Sequence, residues 1–281
     1  MRRLRLLGAT AVLAALFVAA GATSAAAASF TATGHSIRAV FTYRGTFPMT
    51  HDAHLLITVA GATRYDGPVA SKWCGRICWP NQIAPGQHVL SVARLERGGP
   101  YDVVLSLYTG GAHCCTVEQV FSPSRTGAPY AMKEFDFGDP PANLRDLGVG
   151  GSGVFVSAND AFAYAFTDYA ASGMPLEVVS FSGGAFHNVT RRYPTLIRRD
   201  AAMWLRAFNA QSATHYSDTV GLAAAWAADE EMLGQHGAVR SFLSREAAAG
   251  HLNSGLSGIL PSGERFVSAL YVFLRRHGYS T

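Results

Sequence analysis

Residues 176–209 read LEVVSFSGGAFHNVTRRYPTLIRRDAAMWLRAFN. Residues 176–181 and 185–190 form two apolar runs around Ser182-Gly183-Gly184, a hairpin signal. Past Tyr193-Pro194 strand alternation stops, alanine becomes common and apolar residues recur at helical spacing, which predicts a helix over 198–209. The change of period divides the chain into a strand-rich part and a helical part, an α+β fold.

Working upstream, Ile37, Ala39, Phe41 and Tyr43 alternate with Arg38, Val40 and Thr42, and further strands are expected over 54–59, 88–94, 101–108, 114–121, 132–137, 153–158 and 161–169. Gly and Pro punctuate the gaps, and 71–87 is irregular. Downstream, helices are expected over 218–233, 238–249 and 262–276, stopping at Gly234, Gly250 and Gly278. The last places Phe266, Leu270, Phe273 and Leu274 on one face. The expected organisation is a signal peptide over 1–28, an antiparallel β-rich domain over 29–193 and a helical bundle over 194–281 packed on it.

The signal rests on Arg2, Arg3 and Arg5, a short apolar run, and Ala26 and Ala28 ahead of Ser29. Its loss lowers the formal charge from +4 to about +1, so the basic balance does not point to nucleic acid. No later segment is apolar and long enough to span a bilayer. Localisation is expected to be extracellular.

Four cysteines fall in two clusters, Cys74 and Cys78 in CGRIC, and Cys114 and Cys115 in YTGGAHCC. In an exported chain they are expected to form disulfides. Neighbours on a flat strand face opposite sides, but a bulge at Gly110-Gly111 lets both reach the Trp73–Pro80 loop, which favours bonds between the clusters. The rivals are a local Cys74–Cys78 bond with a bond between neighbours, or a zinc site that adds His113.

Residues 92–105, VARLERGGPYDVVL, echo 144–156, LRDLGVGGSGVFV, about one blade apart. With LYTGGAHCCT (107–116), NDAFAYAF (159–166) and NVTRRYP (188–194), the chain resembles uncharacterised secreted actinobacterial proteins with degenerate FG-GAP or VCBS-like repeats. The resemblance implies blade-like β units whose acidic loops hold calcium. At the acidic positions this chain has Arg94, Glu96, Gly98 and Asp102, then Asp146, Gly148, Gly150 and Val154. That is too few oxygens for calcium, so the loops read as turns without metal. No cofactor is expected.

Among candidate catalytic groups, Glu134, Asp136 and Asp139 precede Pro140-Pro141. On a strand Glu134 and Asp136 share a face, the one pair suited to acid and base work on a glycosidic bond. Phe162, Tyr164 and Phe166 would line one strand face, as a ligand platform or as core. Serine-nucleophile motifs are weak: Gly150-Gly151-Ser152-Gly153 lacks the final glycine of G-x-S-x-G, and Ser182 sits in a hairpin turn between two strands where a nucleophile elbow needs strand then helix. The sequence therefore reads as a secreted non-catalytic protein that binds or scaffolds an extracellular partner, for which cell-envelope polysaccharide is the candidate. The alternatives are a carboxylate-pair hydrolase and a metal or thiol-redox protein.

Overall fold

The computed structural model describes residues 27–46, 49–74, 78–82, 88–147, 151–214, 218–256 and 258–280. The expected export signal up to residue 26, the interior of CGRIC, and Gly148 and Gly150 of the second loop lie outside them. The architecture is α+β, with three antiparallel sheets followed by four helices.

The first sheet is a meander of β1 (Ala28–Gly34), β2 (Ile37–Arg44), β3 (His51–Val59) and β4 (Ala62–Pro68). The second holds β5 (Trp79–Pro80), β6 (Leu90–Ala93), β7 (Asp102–Gly111), β8 (Cys114–Pro123) and β9 (Tyr130–Asp136). The third is β10 (Asn143–Asp146), β11 (Gly153–Ala158), β12 (Leu176–Ser182) and β13 (Ala185–Asn188). Strand β1 begins at Ala28, the last residue assigned above to the signal.

Period-2 alternation explains the stacking. On one face of the second sheet, Val103, Leu105, Leu107, Val117 and Phe121 pack against Ile37, Phe41, Leu55 and Ile57 of the first. On the other, Val104 and Val120, with Phe137 just past β9, pack against Phe155, Val179 and Phe181 of the third. The middle sheet therefore carries apolar side chains on both faces, as expected of a covered sheet, with Ser106 and Glu118 buried as a hydrogen-bonded pair.

The helices are α1 (Pro194–Ser212), α2 (Val220–Met232), α3 (His236–Ala248) and α4 (Gly263–Arg276). Helix α4 is amphipathic, with Phe266, Leu270 and Leu274 buried. Helix α2 is buried almost all round, which marks it as the centre of the bundle. None of the described helices is long and apolar enough to cross a membrane.

Two expectations are corrected. Residues 161–169 are not a strand: a short 3-10 turn at Asp160–Phe162 opens a run of turns. The Asn159 side chain caps it by accepting from Ala161 N–H. The chain bends because Phe162 and Phe166 go into the helical core with Phe266 and Phe273, whereas Tyr164 points out with φ +59°. The aromatic trio is thus split between core and surface.

The disulfides are local, Cys74–Cys78 and Cys114–Cys115. Cys74 and Cys78 approach to 5.1 Å between Cα atoms. The expected bulge exists, between Tyr108 and Gly111, with Gly110 at φ +91°. It serves the β7–β8 hairpin tip, where Gly111 pairs with Cys114, so the neighbouring cysteines lie at a corner and not on a flat pleat. Such short loops constrain the unfolded chain by about 1 to 2 kcal/mol each, against about 4 for a ~40-residue loop. Reduction is expected to lower the melting midpoint by no more than roughly 10 °C. A larger drop in a melt with and without dithiothreitol would indicate a long-range bond instead.

Candidate functional site

The YTGGAHCC hairpin tip meets the end of β9 and the 159–173 excursion at one corner. Its geometry starts with backbone bonds. Thr116 N–H donates to Gly138 O at 2.6 Å, and Phe137 N–H donates to Thr116 O at 2.9 Å. Tyr108 hydroxyl donates to Gly111 O across the tip, and Thr109 Oγ1 accepts from Cys115 N–H at 2.6 Å. The Trp79 ring lies on the bare face of Gly110, where a Cβ would overlap it. Glycine is required there twice over, by that approach and by its left-handed φ.

Three carboxylates converge behind the tip. Asp136 Oδ1 accepts from Gly138 N–H at 2.9 Å, and Asp160 Oδ1 accepts from Asp139 N–H at 3.2 Å. Gly138, at φ +72°, leaves no room for a Cβ beside Asp160. Burial raises the Asp160 pKa, and the charges of Asp139 and Asp136 add to this. Asp139 is raised by burial, with His113 opposing the shift. Tyr108 is raised by burial and by Asp139.

In front stand three rings. His113 lies 3.9 Å from Tyr169 and 6.3 Å from Tyr164, and the two tyrosines are 5.5 Å apart, centroid to centroid. Tyr164 is 55% exposed, and its N–H donates to Ser172 Oγ at 3.1 Å. The corner is a ring-lined surface edged by hydrogen-bond acceptors.

The residues singled out from the sequence separate in space. Glu134 and Asp136 share a face of β9, since they pair with Gln119 and Val117 of β8. Glu134 accepts from Gln119 Nε2 at 3.2 Å and from Lys72 N–H at 3.4 Å, so it braces the preceding loop. Asp136 joins Asp139 and Asp160. Of the aromatic trio only Tyr164 reaches this surface, with Cys114 and Cys115 beneath the tip. Tyr169 and Asp160 were missed. Asp160 stands in the NDAFAYAF segment, and an Asn-Asp pair is a turn signal that could have flagged it. Among the described residues no group of three His, Cys, Asp or Glu side chains is arranged to hold a metal ion. Asp102, an expected loop acid, is buried and accepts from Leu95 N–H at 3.1 Å.

No protein-family model matches the chain, and no solved structure matches it. A curated protein of Synechocystis sp. named "Probable thylakoid lumen protein" is 29% identical over 151 residues. The match covers 52% of this chain and 44% of that protein, so the chain spans less than half the length of its relative.

Proposed function

We propose that the protein is an exported, non-catalytic binder of a cell-envelope polysaccharide, with the His113–Tyr164–Tyr169 corner as its contact surface. The observation that carries this reading is Tyr164. An exposed ring on a left-handed, non-glycine backbone costs about 1 kcal/mol and adds nothing to the core. A sugar ring has an apolar C–H face that stacks on aromatic rings and a hydroxyl edge that donates to acceptors. Tyr164, Tyr169 and His113 supply the first contact, and Asp139 supplies the second. The paired cysteines and the lumenal name of the relative support an oxidising, extracytoplasmic address.

Binding is tested by sedimentation with insoluble cell-wall polysaccharide. Wild type is expected to co-sediment, and Tyr164→Ala to lose about tenfold in affinity, the effect of one stacked ring. Unchanged retention of both Tyr164→Ala and Tyr169→Ala would refute the surface. Release of soluble sugar by the protein alone would replace binding with hydrolysis.

A further inference from the structure

A cavity lies where the third sheet meets the helical bundle, far along the chain from the hairpin tip. Its volume is about 380 Å3, within the range of small-molecule sites. Asn159, Asn188, Arg191, Arg192, His277 and Tyr279 provide its polar lining.

Arg191 is a clamp. It donates to Met232 O at 2.9 Å, Gly278 O at 3.0 Å and Tyr279 O at 2.8 Å, so it pins the end of α2 and the C-terminal segment to the sheet. All three acceptors are neutral carbonyls, which leaves its charge without a counter-ion. The ion pairs among the described residues involve neither Arg191 nor Arg192. No carboxylate lines the cavity. Two acids outside the lining act on Tyr279: Glu177, which accepts from Asn188 Nδ2 at 3.0 Å, and the buried Asp229.

Tyr279 is the second observation. It is 6% exposed, and its hydroxyl accepts from Asn159 Nδ2 at 2.8 Å. That bond uses a lone pair and leaves the hydroxyl proton to donate. His277 stacks on Phe273 at 4.2 Å, and burial and the charge of Arg276 lower its pKa.

We infer that this cavity binds a small molecule through an oxyanion group, carboxylate or phosphoryl. Arg192, which forms no ion pair among the described residues, is the cation that meets the oxyanion, and the Tyr279 hydroxyl is the buried donor that orients it. Arg191 lends its field while its donors hold the frame. A guanidinium beside a tyrosine hydroxyl suits a group with several acceptor oxygens on one atom.

The test titrates the full chain with inorganic phosphate and, separately, with citrate, by calorimetry and thermal melting. Sodium chloride at matched ionic strength is the reference. A saturable rise in midpoint with either anion, absent with chloride, is expected. Response to phosphate alone assigns a phosphoryl group, and response to citrate alone assigns a carboxylate. Arg192→Gln, an exposed change, is expected to weaken binding at least tenfold with the unliganded midpoint unchanged. Tyr279→Phe is expected to weaken it by several-fold. No saturable response beyond chloride, or equal affinity in Arg192→Gln, overturns the assignment.

Discussion

Asp229→Asn is expected to make the protein more stable at neutral and alkaline pH, and to flatten its dependence on pH. Asp229 sits in α2 with no exposed surface, and its carboxyl faces Asp200, to which it donates a hydrogen bond when protonated. Burial first, then Asp200 and Glu230, push its pKa up to about 10. Asp200 is held opposite because it accepts from Leu176 N–H at 2.9 Å and from Trp204 Nε1 at 3.0 Å. The folded protein thus keeps a proton that the unfolded chain releases near pH 4. Stability from this group is complete below about pH 4 and is lost as pH climbs toward 10, by up to about 1.4 kcal/mol per pH unit. Asparagine is neutral throughout and can donate to Asp200. Between pH 5 and pH 8 the variant is expected to gain about 2 to 4 kcal/mol relative to wild type. Urea titrations of both proteins across that range measure it, and parallel profiles would refute it. Glu118, buried and pushed up to about 8, slopes the same way in both proteins and cancels in the difference. Ser106 Oγ donates to it at 2.6 Å and opposes the shift.

Gly221→Ala is expected to destabilise the protein although alanine is the better helix former. In an exposed helix interior the exchange would gain up to about 1 kcal/mol. At Gly221, in the first turn of α2, an added Cβ would overlap the Ala171 carbonyl oxygen. The facing Gly173 is also too tight for a side chain, since its Cβ would stand 2.7 Å from the Gly221 carbonyl oxygen. The two glycines let the excursion lie directly on the helix backbone. Neither partner can yield as a flexible side chain would. A net loss of about 2 to 4 kcal/mol follows from this overpacking, or roughly 5 to 15 °C in melting midpoint. A melt in which Gly221→Ala equals or exceeds wild type would show that the excursion can lift off without cost.

Most of this architecture was legible because its layers are periodic. The alternation of Ile37, Ala39 and Phe41 and the spacing of Phe266, Leu270 and Leu274 each name one buried face. The excursion was not, because FAYAF alternates aromatic and small residues as a strand would. What overrides the alternation is tertiary: two of its rings are wanted by the bundle, and Asn159 caps a turn. Strand β1 was missed because its alternating Ser29, Thr31 and Thr33 follow alanines that resemble a cleavage site. Sulfur pairing depends on the course of the backbone, which spacing does not encode. At the candidate corner, Asp136 and Tyr164 could be named from local pattern. Tyr169 joins them through a fold of the chain that no local pattern records.

The three sheets occupy unbroken windows of sequence, each strand pairing in a ladder only with strands of its own window. A chain delivered N-terminus first can therefore complete one ladder before the next has emerged. The first finished layer then presents Phe41, Leu55 and Ile57 to water until its cover arrives. The order of synthesis makes that bare face the stickiest surface the nascent chain shows, and the point where a holding chaperone would be most useful.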